Sequence, residues 1–354
     1  MLEDDEGSPN PYSIDRTAVH GRPIITVSLI IAAVLGFLLV VYLIVDSGAA
    51  QVAHAMLLVG WWLIPITLFH LVPMVFSALS WRELMSAASR PTVFTVVWIR
   101  WIRESINSLL PVASIGGDVA SVRLVQMRGL PVTGAAASMV VDTTVGVVTQ
   151  LIFVFCGVGL LLARSTERST LAVAGIVLMG TAILLAATAA FVWFQHRGLF
   201  AGFAKFARSL LSEKWQSAFA TASTIDDAVV AVYRSGWGIW RAGLLRLIGW
   251  AAGTGEVWLV MRSLGHPIGV VEAFILESLS SGVRAAAFMV PGALGALEAS
   301  FVLFGALFQL PADTALVISL SKRVRELTLG VPGLLVWHWI EWHALLRRGE
   351  PKAR

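Results

Sequence analysis

The chain is short of charge. Asp, Glu, Lys and Arg make up 14% of its 354 residues, whereas soluble domains carry about a quarter. Hydrophobic residues reach 57% and the mean hydropathy is +0.80. This excludes an ordinary soluble globular protein and defines an integral membrane protein. The net charge of +4 is not a nucleic-acid footprint. The Lys and Arg residues lie beside apolar segments, where topology and anionic headgroups account for them, so no nucleic-acid partner is expected.

Cysteine is almost absent. The single Cys156 excludes an internal disulfide and reads as a small buried packing residue. Catalytic signatures are missing as well. There is no HExxH, no GxSxG elbow and no GxxxxGK[ST] loop, and the seven histidines are scattered without metal-ligand spacing. These absences lead us to expect no metal, no cofactor and no enzyme. His70 reads as a hydrogen-bonded packing residue. The opening residues carry Asp4, Asp5 and Glu6 rather than the basic start of a secretory signal. Residues 1–23 are expected to be a disordered cytoplasmic tail, residues 24–346 the membrane domain, and residues 347–354 a basic cytoplasmic tail.

Long apolar runs are what the chain has in plenty. Ile24–Val45, Ala55–Leu79, Ala135–Ala163, Leu171–Phe194, Trp237–Met261 and Ala312–Ile340 are each long enough to span at about 1.5 Å per residue. Gln195–Ser235 reads as an interfacial segment, its Asp226–Asp227 pair as solvated surface, and Arg241 and Arg246 as side chains snorkelling to headgroups. Two further stretches, Thr92–Leu130 and Val270–Gln309, are apolar yet broken and charged. We read both as re-entrant hairpins, the first with a surface-lying amphipathic helix as its alternative. The expected fold is therefore all-α, with about six transmembrane helices plus two re-entrant hairpins.

The two stretches echo each other. Pro111 and Pro131 line up with Pro291 and Pro311, and Asp118 lines up with Glu298, each 180 positions on. Weak internal symmetry with Gly/Pro-interrupted segments in both halves points to a transporter-type site. Lys and Arg cluster at Arg16–Arg22, Arg82–Arg128, Arg197–Arg246 and Arg347–Arg354. This places both termini in the cytoplasm and gives the two repeats inverted topology.

The charges inside the apolar runs are the candidate functional residues. Lys322, Arg323, Arg325 and Glu326 fall within about half a helix circumference, and each buried charge costs on the order of 2.5–3.5 kcal/mol on insertion scales. Glu277, Arg284 and Glu298 are candidate partners. Two readings stand side by side: an ion-pair lock, or a polar lining that handles a lipid headgroup. Asp118, after Gly116 and Gly117, reads as a helix cap or as a partner of Arg103 or Arg123. Asp142 lies inside a span.

The runs NSLLPVASIGGDVASVRLVQMRG and VPGALGALE, with Asp142, resemble the flippase-like transmembrane domain of lysylphosphatidylglycerol synthases. The resemblance covers about Ile24–Leu346. Within it, Arg284–Phe288, Pro291–Glu298 and SLSKRVRELTLGVPGLL are similar to a membrane protein encoded with hopanoid biosynthesis genes in bacteria. The resemblance implies lipid translocation in the bacterial inner membrane. It also implies that membrane lipids, hopanoids among them, and hopanoid-biosynthesis or export proteins are partners, and that only the translocating half is present, without a synthase domain. The residues it carries over are Asn107, Pro111, Gly116, Gly117, Asp118, Asp142, Pro291, Gly292, Gly295 and Glu298. The family's basic residue soon after the first proline is missing, because Ser114 and its neighbours are neutral. The alternative function is a membrane-embedded lipid-modifying enzyme or an accessory subunit.

Overall fold

A computed structural model describes residues 37–87, 90–110, 116–164, 216–287 and 290–349, with a few single positions besides. The first half of the expected span Ile24–Val45, most of Leu171–Phe194, residues 195–215 of the expected interfacial segment, the N-terminal tail, residues 350–354 and Pro111 lie outside the described residues. Every regular element among those described is helical.

The helices are α1 Phe37–Asp46, α2 Ala49–Val59, α3 Leu63–Phe69, α4 Leu71–Glu83, α5 Val93–Leu109, α6 Gly116–Gln126 and α7 Val132–Arg164. There follow α8 Gln216–Arg234, α9 Trp237–Ser263, α10 Val270–Ala286, α11 Ala296–Ala306 and α12 Ala312–Gly349. Among the described residues, three stretches are long and apolar enough to cross a membrane: Ala49–Glu83, which strings α2 to α4 together, and helices α7 and α9. Helix α12 is longer still, at 38 residues, but carries the charged cluster in its first half.

Helices α5 and α10 stop where the sequence tells them to. Thr92 caps α5 by accepting the Thr95 N–H at 3.3 Å. The helix ends at Leu110, extended at φ −101° and ψ 143°, the residue before Pro111, where helical backbone is disfavoured. Helix α10 ends before a short 3₁₀ turn at Pro291–Ala293. Gly292 (φ 60°) and Gly295 (φ 77°) turn the chain through left-handed conformations open to glycine, and α11 begins directly after.

The two halves repeat one order of helix lengths. Helices α5 and α10 each have 17 residues, and α6 and α11 each have 11. A long helix follows in both halves, α7 and α12. Packing repeats as well: α5 lies on α12, and α10 lies on α7. Two apolar cores each draw on both halves. One gathers Trp81, Ile99, Ile102, Ile106 and Leu124; the other gathers Val257, Leu276, Phe301 and Phe304. Large apolar side chains such as Leu57, Trp61, Phe94 and Trp240 face outward.

That outer apolar surface corrects one expectation. Cys156 is exposed on α7 rather than buried. In a membrane protein an apolar run covers both the core and the lipid-facing side, so hydrophobicity does not signal burial. The Asp226–Asp227 pair also divides: Asp226 is buried in the α8–α7 contact and Asp227 is exposed.

Close approach of α7 and α10 depends on Gly157, where an added Cβ would collide with the Ser278 side chain. At Gly159, one half-turn on, there is nothing within 4 Å. Gly157→Leu is expected to destabilise the protein by about 1–3 kcal/mol, read as a lower midpoint in thermal unfolding in detergent. Gly159→Leu should leave that midpoint unchanged.

Candidate functional site

Helices α5 and α10 present the same polar pattern to the centre. Arg100, Arg103, Glu104 and Asn107 recur at i, i+3, i+4 and i+7, and so do Glu277, Ser280, Ser281 and Arg284. That spacing puts each set on one helix face. With His70, residues of α9 and the first half of α12, these faces enclose a cavity of about 440 Å³.

Two clusters of ion pairs hold the cavity wall. The first surrounds Asp142, which has no solvent exposure. Arg103 Nη1 donates to its Oδ2 at 2.6 Å, and Arg246 Nη2 to its Oδ1 at 2.6 Å. Arg100 Nη1 lies 3.7 Å away. Arg103 Nε also donates to Asp118 at 2.6 Å, and Arg100 Nε to Glu104 at 3.0 Å. Thr143 Oγ1 donates to Asp118 at 3.2 Å.

The second cluster surrounds α12. Lys322 Nζ donates to Glu277 at 2.9 Å and lies 3.5 Å from Glu256. Arg325 bonds to Glu256. Arg284 Nη1 donates to Glu326 at 2.7 Å, and Arg323 Nη1 does so at 3.0 Å. Arg323 Nε meets Glu298 at 2.8 Å, and its Nη1 reaches the Gly292 carbonyl at 2.6 Å. Arg323 therefore clamps the break between α10 and α11, while the Glu298 carboxylate accepts the Gly295 N–H at 2.8 Å. In the first half the matching break is tied by Asn107, whose Oδ1 accepts the Gly117 N–H at 2.8 Å.

Two matched positions exchange sign between the halves, and a third keeps an acid in both. Arg100 and Glu277 are the eighth residues of α5 and α10; Asp142 and Lys322 are the eleventh residues of α7 and α12. Asp118 and Glu298 are the third residues of α6 and α11. Helix α9 serves both sides, with Arg246 facing Asp142 and Glu256 facing Lys322. Three cations and three carboxylates make up the first cluster, and four of each the second. His70, at the junction of α3 and α4, joins them, with Nε2 3.2 Å from Glu104 and Nδ1 2.6 Å from Glu256.

The structure brings Glu277, Arg284, Glu298, Lys322, Arg323, Arg325 and Glu326 into one network. Of these, Glu277, Arg284, Lys322, Arg325 and Glu326 line the cavity. Asp118 and Asp142 stand behind the lining, where they hold Arg103 and Arg100. Arg123 does not join; its Nη2 meets Glu341 at 2.7 Å, because the last turn of α6 faces the far end of α12. Gly116 and Gly117 open α6 beside Asn107 rather than cradling a phosphate. Arg246 is buried at 4% exposure instead of snorkelling to headgroups, because Asp142 supplies a carboxylate at that depth. Five ionisable lining residues were missing from the expected site: His70, Arg100, Arg103, Glu104 and Glu256. The spacing of Arg100, Arg103 and Glu104 was the available signal, and so was the face shared by Arg246, Gly249, Gly253 and Glu256 on α9.

Fold and site together define an all-helical membrane protein with a charged cavity inside an apolar bundle. Residues 25–333 match the family model described as the lysylphosphatidylglycerol synthase TM region. The chain belongs to that family, which ties it to a lipid-related function in the membrane. No curated protein and no solved structure matches it.

Asp142→Asn would leave three arginines facing one another without their carboxylate. Breaking a buried pair by removing one partner costs about 3–5 kcal/mol. The variant is expected to show a much lower unfolding midpoint and a reduced monodisperse yield, whereas Glu272→Gln, at the edge of the bundle, should behave like the unaltered protein in the same size-exclusion and thermal measurements.

Proposed function

We propose that this protein moves a lipid between the leaflets of the bacterial inner membrane, with the cavity between α5 and α10 handling the headgroup. The single observation that carries this reading is a cavity of about 440 Å³ walled by ion pairs within an apolar helix bundle. Ligand cavities run about 300–1,000 Å³, so the volume suits a headgroup, while acyl or polycyclic tails stay in lipid. Among the described residues, Arg100 Nη1 and Ser280 Oγ, buried donor atoms of two residues that line the cavity, have no hydrogen-bond partner. Both can donate to headgroup oxygens.

In this reading α5–α6 and α10–α11 are two re-entrant hairpins within about six spans. They form an inverted repeat across the membrane plane, with both termini in the cytoplasm. The equal helix lengths and reciprocal packing support it. Broken helices meeting near mid-membrane are the usual place for a transport site. Many of the wall charges have two or more opposing neighbours, so a headgroup can take one partner without stranding a buried charge. The chain performs no chemistry on the cargo. The resemblance to the hopanoid-associated protein makes a hopanoid or hopanoid-bearing lipid the leading cargo, with hopanoid-biosynthesis or export proteins as partners.

The test pairs a leaflet assay of lipids in cells lacking the protein with total lipid composition in the same extracts. Unchanged composition with altered leaflet distribution is expected. Altered composition with unchanged distribution would overturn the reading in favour of a lipid-modifying enzyme. Cells carrying Lys322→Gln are expected to lose at least tenfold in translocation rate, about 1.4 kcal/mol of barrier, with membrane levels of the protein measured alongside.

A further inference from the structure

The two ion-pair clusters balance exactly in sign, and one titratable side chain bridges them. His70 Nδ1 lies 2.6 Å from Glu256 Oε1 and 2.9 Å from Arg325 Nη1, while Nε2 lies 3.2 Å from Glu104 Oε2. A carboxylate only accepts, a guanidinium only donates, and an imidazole nitrogen does one or the other. The two contacts at Nδ1 therefore belong to two protonation states. In the neutral ring the proton sits on Nε2 and is donated to Glu104, while Nδ1 accepts from Arg325. In the imidazolium Nε2–H still donates to Glu104, and Nδ1–H now donates to Glu256. One proton gained from cavity water at Nδ1 exchanges Arg325 for Glu256, and release of the same proton to water reverses the exchange.

We propose that His70 couples proton movement to cargo movement, and that the cargo headgroup carries one net negative charge. This rests on the transport reading above. With His70 neutral the network has seven cations and seven carboxylates among the described residues. A proton on His70 leaves it one positive charge in excess within an apolar bundle, which is costly. An anionic headgroup entering the cavity cancels that excess. Proton and anion then enter together and leave together.

Every element packed around the ring contributes to this device. Helix α9 supplies Glu256; α5 supplies Glu104, which Arg100 holds; α12 supplies Arg325. Behind these, Asp142 on α7 faces Arg100, Lys322 faces Glu256, Glu277 on α10 faces Lys322, and Glu326 lies 3.6 Å from Arg325. Proton uptake loosens Arg325 from the α3–α4 junction while its bond to Glu256 remains. Helix α12 is thus the element freed by the exchange.

The experiment uses the full chain in proteoliposomes containing fluorescent phosphatidylglycerol as an anionic tracer, with a pH dye inside. An imposed proton gradient is expected to raise tracer movement at least about fivefold, with the dye reporting about one proton per lipid. This arm needs no variant. His70→Gln keeps one amide donor and one carbonyl acceptor but cannot take up a proton, so it should lose the gradient response; size exclusion checks its assembly. Tracer movement that ignores pH and gradient, or a gradient response that survives in His70→Gln, overturns the coupling and leaves the transport reading standing. No tracer movement under any condition overturns the anionic-cargo coupling, and the leaflet assay in cells decides the transport reading separately.

Discussion

The Asp142 carboxyl group lies inside the bundle with no exposure to solvent. It can do so only because Arg103 and Arg246 each meet one of its oxygens at 2.6 Å. An unpaired charge at that depth would be neutralised or expelled. The same constraint governs each charge along the cavity wall, so cations and carboxylates enter the bundle together. That requirement decides which helices pack on which. Helix α5 must bring its arginines to α7, α12 must bring its Lys322 to α10, and α9 must reach both. The apolar cores at Trp81 and Phe301 contribute area, but area has no direction. The ion pairs set the register.

The repeated helix order gives the site its shape, and the exchanged signs give it its character. A strictly symmetric pair of halves would put identical charges at matching positions. Here Arg100 and Glu277 stand at the same turn of their helices, as do Asp142 and Lys322. The cavity is therefore polar without being strongly acidic or basic. Such a wall presents both donors and acceptors to whatever enters the cavity.

Some of this was legible in the sequence, for reasons of cost. Lys322, Arg323, Arg325 and Glu326 are conspicuous because charges in an apolar run are expensive. The breaks after α5 and α10 were readable because Pro111, Pro291, Gly292 and Gly295 restrict or free the backbone. Which charge meets which was not readable. Arg103 and Asp142 are 39 positions apart, and His70 and Glu256 are 186 apart, and nothing local joins them. Glu256 carried the same cost signal as Lys322, yet it sits alone in α9 and shows its purpose only beside the cations of α12. The misplacing of Cys156 and Arg246 has one physical root. Along a membrane helix, hydropathy does not tell inward from lipid-facing or shallow from deep.

Helix α9 has a further consequence. Its two inward charges, Arg246 and Glu256, are of opposite sign and about 15 Å apart along the axis, and each fits a lock of the other sign. The helix is in effect a two-toothed key. Sliding it by one turn, about 5.4 Å, would carry both teeth out of their locks at once. Turning it end for end would set Arg246 against Lys322 and Glu256 against Asp142. The bundle thus proofreads its own threading: a wrongly seated α9 is penalised twice, and only one placement satisfies both halves.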